Sequence, residues 1–256
     1  MQITRRLKPE EEEILRKRAE FDAVKATLAE RELELADLRG HLAAFEGRYL
    51  RQVGALYAEL DEWKARIAEL RAQHDPSIAA RRQSEDAREQ ARQTHEAAHG
   101  EASKPPDFTP SPELKSLFRE VAKRIHPDFA KDSADLELRN RLMAEANRAY
   151  KAGDADALRR ILDEYDDSAD AIPGEGAGAE LIRIIRQISQ ARRRIASIEQ
   201  ELATLQQSEI AQLEQDAEKA KQQGHDLLAE LAAAAREQIH SARLEHEALV
   251  KASNPL

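Results

Sequence analysis

Residues Ser111 to Asp128 run SPELKSLFREVAKRIHPD, an amphipathic segment that ends in a proline turn. Ser111 is a good N-cap, and Pro112 suits the first helical position, where its missing N–H would have had no partner in any case. At about 100° per residue, Leu114, Leu117, Phe118, Val121 and Ile125 share one face, while Lys115, Arg119, Lys123 and His126 line another. One face is made to pack and the other is cationic. Pro127 cannot continue a helix and restricts the backbone of the residue before it, so the helix exits at His126. The expectation is a helix that runs into a turn presented to solvent.

Moving downstream, Ala130 to Ser133 is a short polar loop. The next helix carries Leu138, Leu142, Met143, Ala146 and Tyr150 and should pack antiparallel on the Leu114 to Ile125 face. Gly153-Asp154 ends it and caps a shorter helix holding Leu158, Ile161 and Leu162. Three helices of this size make a marginal core, which docking against another segment would help.

The basic helix, the His-Pro-Asp at His126, Pro127 and Asp128, and the pattern Asn147, Ala149, Tyr150 within MAEANRAY (Met143 to Tyr150) occur in order at a plausible loop spacing. Over residues 107–165 the chain thereby resembles a J-domain, the module by which DnaJ-type co-chaperones stimulate ATP hydrolysis by DnaK-type heat-shock chaperones. What the resemblance implies is that Lys115, Arg119 and Lys123 engage an acidic surface of that chaperone. His126, Pro127 and Asp128 would contact it where stimulation is triggered. Charge complementarity of this kind mainly speeds and orients encounter. There would be no catalytic residue and no cofactor in this chain. Two features depart from the family. No first helix with a Tyr-x-x-Leu-Gly pattern lies upstream, where Lys104 to Pro110 (KPPDFTP) is a proline-rich linker with one apolar residue, Phe108; some other element must cover the open face. Phe129 follows the tripeptide where the family often has Lys.

On both sides lie long patterned arms. From Ile14 an apolar or aromatic residue recurs every seventh position through Phe21, Leu28, Leu35, Leu42, Tyr49, Leu56, Trp63 and Leu70, which reads as a coiled-coil helix over residues 9–74. Companions sit three further on at Val24, Leu38 and Phe45, then four further on at Val53, Leu60 and Ile67. The seam slips near Tyr49, which suggests a change of partner or geometry there. Phe45, Tyr49, Leu50, Tyr57 and Trp63 widen the stripe, so more than one helix should pack on it. Gly40, Gly47 and Gly54 also recur at heptad spacing; each costs a helix up to about 1 kcal/mol relative to Ala, and either something approaches closely there or they are tolerated accidents.

Residues 75–106 form a polar linker, in which Asp75-Pro76 breaks or restarts the helix and Ser77 to His99 is a solvated helix or disordered. Residues 166–179 are a second linker, rich in Gly, Pro and acid. A second arm over residues 180–252 carries Leu181, Ile188, Ile195 and Leu202 with companions Ile184, Ala191, Ile198 and Leu205. It stutters around Gln206 to Ser208, and a last apolar group lies beyond Gly224. An intramolecular antiparallel hairpin and parallel self-association as a homo-oligomer satisfy these seams equally well.

Within the polar linker, His95, Glu96 and His99 match the HExxH pattern of zinc metalloproteases. A polar, solvated setting without a recognisable third ligand argues for a chance match, so no metal site is expected. The chain has no cysteine, which removes disulfides, thiolate metal ligands and cysteine nucleophiles and suits a reducing cytoplasm. Basic and acidic residues are interspersed at a net charge of −9, so no nucleic-acid partner is expected. No apolar run is long enough to cross a bilayer and no export signal is visible, so no membrane partner is expected either. The reading is an all-α protein: a J-domain-like co-chaperone, not an enzyme, whose arms serve assembly or client proteins. The alternative is a coiled-coil scaffold with a degenerate, non-stimulating J-like module.

Overall fold

The structure, a computed structural model, describes residues 9–75, 77–100, 108–167 and 177–253. Residues 1–8 of the charged N-terminus, Pro76, residues 101–107 of the proline-rich linker, residues 168–176 of the acidic linker and residues 254–256 lie outside that description. No strand occurs among the described residues, so the all-α reading holds. The chain divides into two compact units, residues 1–41 with 108–207 and residues 42–107 with 208–256. This is not the arm, module and arm division read from the sequence, because each unit takes helices from both arms.

The first unit contains the N-terminal part of α1 (Pro9–Tyr49), then α4 (Pro112–Ile125), α5 (Ser133–Ala152), α6 (Ala155–Asp167) and α7 (Ala177–Gln206). Ser111 caps α4 by accepting from the Leu114 N–H, and Pro112 opens its first turn. Phe118, Val121 and Ile125 are completely covered, with Leu142, Ala146, Tyr150, Leu158 and Ile161 closing the three-helix core. α5 is antiparallel to α4: Tyr150 lies on Phe118 with ring centroids 4.6 Å apart, and Arg139 reaches the Arg124 carbonyl. Gly153 takes the left-handed conformation (φ 73°) that ends α5, and Asp154 caps α6 through the Ala157 N–H.

The seam of α1 meets α7 within this unit. Leu28 and Leu35 pack with Ala191 and Ile198, and Ile14 packs with Ile184 and Ile188. Arg18 pairs with Glu180, Glu32 with Arg194 and Arg39 with Glu201, each at a separation of 162 residues. A constant separation means that the two helices run parallel and in register. The antiparallel hairpin is therefore corrected for these two helices, which lie side by side in the same direction. The seam finds its partner inside the chain.

The second unit contains the end of α1, a π-helical turn (Leu50–Gly54), α2 (Ala55–His74), α3 (Ile78–His99), α8 (Glu209–Gln222) and α9 (Leu227–Ser253). The π turn sits where the seam slips. Ahead of it the buried line is the seven-residue series ending at Leu35 and Leu42; beyond it Val53, Leu60 and Ile67 are buried, while Leu56, Trp63 and Leu70 are only half-covered. One extra residue in a wide turn moves the buried line from one series to the other. The wide aromatic stripe meets two helices: Phe45 and Val53 pack with Ile210 and Leu213 of α8 and with Leu228 and Ala232 of α9. Further along, Leu60 and Ile67 meet Ile239 and Ala242.

The polar segment after Asp75 is an ordered helix. Ser77 caps α3 through the Ala80 N–H, and α3 returns antiparallel along α2, with Arg88 paired to Glu69 at 2.6 Å and His95 to Glu62 at 3.3 Å. Its buried residues are Ser84, Ala91 and Ala98, one every seventh position. A stripe of small side chains needs no large apolar residue to pack closely, which is why this helix reads as polar all round.

Candidate partner-binding site

The site predicted from the sequence is the cationic face of α4 and the turn that follows it. Pro127 to Phe129 form a short 3₁₀ turn. His126 ends α4, but it is not presented to solvent: it is 3% exposed. Its Nδ1 accepts from the Asp128 N–H at 3.2 Å, which makes Nε2 the protonated nitrogen, and this donates to Glu32 Oε1 at 3.0 Å. The expectation of a presented turn is thus corrected. Pro127 fixes the local backbone, but the covering group arrives from α1, 94 residues away in sequence.

Glu32 is the hub of a buried ionic cluster. Arg194 of α7 donates to both of its oxygens, at 2.9 and 3.3 Å, and donates from Nη1 to Glu201 at 2.8 Å. Burial pushes the Glu32 carboxyl up, but the hydrogen bonds from His126 and Arg194 outweigh it and hold the group below the usual range. A carboxylate so enclosed is tolerable only because both oxygens are used.

Two of the other predicted contacts are also met by α1. Lys115 pairs with Asp37 at 2.6 Å and Arg119 with Glu30 at 3.1 Å. Lys123 is exposed. Asp37 is shared, because its second oxygen accepts from the Tyr150 hydroxyl at 2.6 Å. Burial and this bond to a carboxylate raise the Tyr150 hydroxyl well above its ordinary range. Tyr150, part of the Asn-x-Ala-Tyr pattern, is therefore a core residue with one polar tie to α1.

Phe129 explains why the turn is held. Its ring is buried among Leu28, Leu35, Ala191 and Ile198 and meets Phe21 edge-on, with centroids 5.2 Å apart. Covering an aromatic ring of this size contributes about 1.5–3 kcal/mol. Lys25 lies over both rings, at 5.5 Å from Phe21 and 5.2 Å from Phe129, and burial lowers its affinity for a proton. A Lys at position 129 would put a charge into this apolar pocket.

The face of the three-helix core beside Tyr150 is covered by α1 and Phe108. Phe108 meets Tyr150 and His41 edge-on, at 5.8 and 5.0 Å, and sits directly over Gly40. A Cβ on Gly40 would come to 2.4 Å from the ring. Of the heptad glycines, Gly40 is required by a close approach, Gly47 is buried, and Gly54 faces Leu50 of its own π turn.

Sequence reasoning missed Glu30, Glu32, Asp37, Arg194 and Arg139. Arg139 is 4% exposed; it pairs with Asp135, donates to the carbonyls of Arg124 and His126 and contacts the Tyr165 hydroxyl. It thereby satisfies carbonyls that the end of α4 leaves open. One signal was readable: Glu32 falls about 40° from Leu28 on the helical wheel, a charge inside the apolar seam. Asp128 keeps an odd position. Burial raises its carboxyl, and its Oδ2 is enclosed without a hydrogen-bond partner.

The HExxH residues assemble no metal cradle. His95 and His99 stack at 4.3 Å and Glu96 pairs with Arg92 at 2.8 Å. Among the described residues no group of three His, Cys, Asp or Glu side chains is placed to hold a metal ion, and no helix is long and apolar enough to cross a membrane. No protein-family model matches the chain, and no curated protein or solved structure matches it.

Proposed function

We propose that this chain is a non-catalytic, cytoplasmic co-chaperone of the J-domain type. It binds a DnaK-type heat-shock chaperone through Lys115, Arg119, Lys123 and the turn His126, Pro127 and Asp128. Its coiled-coil-like arms serve assembly or client selection. The observation that carries the reading is that the face with the signature also has the matching chemistry. Lys115, Arg119 and His126 each reach one carboxylate on a helix, at 2.6, 3.1 and 3.0 Å. A surface that pairs with acidic helical side chains in its own chain has the complement needed for an acidic surface of another protein. The alternative, a scaffold whose J-like module only docks on the arms, is favoured by the burial of His126.

The two readings part on one measurement. Full-length protein and its Phe129→Lys variant are added to each DnaK-type chaperone of the same cell, and ATP hydrolysis is followed. Acceleration by at least one of them, abolished when His126→Gln is added, is the result expected. No acceleration by either leaves the scaffold.

A further inference from the structure

We infer that α1 between Phe21 and His41 is an internal stand-in for the acidic partner, so that the face of α4 binds one acidic helical surface at a time and gains the external one only when α1 leaves it. The inference rests on the co-chaperone reading of that face. Three observations carry it. Glu30, Glu32 and Asp37 satisfy Arg119, His126 and Lys115 one for one. Phe129 latches the arrangement by inserting its ring against Phe21 and the α1 and α7 seam. The closed arrangement leaves one motif group unused, because the enclosed Asp128 Oδ2 has no hydrogen-bond partner. α1 therefore imitates the cation-binding part of a partner and offers nothing to Asp128.

A tethered competitor reduces apparent affinity by the fraction of molecules that are open. The partner that displaces it is an acidic protein surface presenting several carboxylates on a rigid backbone, together with a donor for Asp128. The chaperone surface implied by the reading has this chemistry.

The test uses the full chain and two release variants. Phe129→Lys removes the latch. Glu30→Lys reverses the exposed pairing with Arg119 and leaves the core untouched, so that it still reports if the first variant folds poorly; circular dichroism checks both. Carbethoxylation of His126 by diethyl pyrocarbonate, followed by mass spectrometry, measures cover directly, with the exposed His240 as internal reference. Chaperone ATPase titrations measure apparent affinity. The expected result is that His126 reacts at least roughly tenfold more slowly than His240 in the wild type. Release variants lose that protection and reach half-maximal stimulation at a roughly tenfold lower concentration for Phe129→Lys, and by a smaller factor for Glu30→Lys. If wild-type His126 reacts as fast as His240, α1 does not cover it and the inference is overturned. If protection is lost but apparent affinity is unchanged, α1 is no competitor and only the co-chaperone reading survives. If His126 becomes reactive and no variant stimulates any DnaK-type chaperone, that reading fails and the inference with it.

Discussion

Asp128 shows how a single residue can be at odds with the fold around it. Burial raises its carboxyl above the ordinary range, so the folded chain binds this proton more tightly than the unfolded one. The sign follows directly: the group favours folding below its unfolded value, and that contribution is lost as pH rises through the raised folded value. At neutral pH the charge therefore opposes folding. Asp128→Asn should leave the melting temperature at pH 7 unchanged or higher, and the difference from wild type should vanish toward pH 3. In the same variant, stimulation of the chaperone should be lost. A clear drop in melting temperature at pH 7 would mean that the carboxylate is a structural anchor instead. The residue types of the site were readable in the chain, since Lys115, Arg119 and the His-Pro-Asp turn stand out by charge and proline chemistry. Their pairing, and the burial of His126, was not, because the groups that meet them are separated from them by up to 94 residues. No local pattern encodes such a meeting beyond a charge placed inside a seam.

Among the elements, the π turn at Leu50–Gly54 was the most directly legible irregularity. A companion spacing that changes from three to four is one residue too many for a continuous stripe, and the helix absorbs that residue by widening a turn. Gln52 is exposed within the turn. Deleting it should convert the turn to regular α-helix while Val53, Leu60 and Ile67 keep their facing, and urea denaturation should show a change within about 1 kcal/mol. Deleting Lys64, equally exposed but within α2, rotates everything beyond it by about 100° and should lower stability by more than about 2 kcal/mol. Equal effects at the two positions would refute this account of the slip. By contrast the packing of α3, read as a solvated helix or a disordered segment, was not legible, because its packing surface is made of Ser84, Ala91 and Ala98. Small residues carry little hydrophobic signal and yet allow close approach.

For the whole molecule, what the sequence left open was the partner of each seam. Seven-residue spacing states that a helix has a companion, and it says nothing about direction or about whether the companion lies in the same chain. Leu28 and Leu35 meet Ala191 and Ile198 of their own chain, in parallel. A chain cut after residue 167 would lack α7, and its exposed seam should make it self-associate, which sedimentation at rising concentration would reveal; a stable monomer would contradict the pairing. The register has a further meaning during synthesis. Glu32 meets Arg194 across 162 residues, and ribosomes add about 5–20 residues each second. The first arm thus waits roughly 10–30 s outside the ribosome with its apolar seam uncovered. For that interval the protein is itself the kind of nascent chain that general chaperones hold.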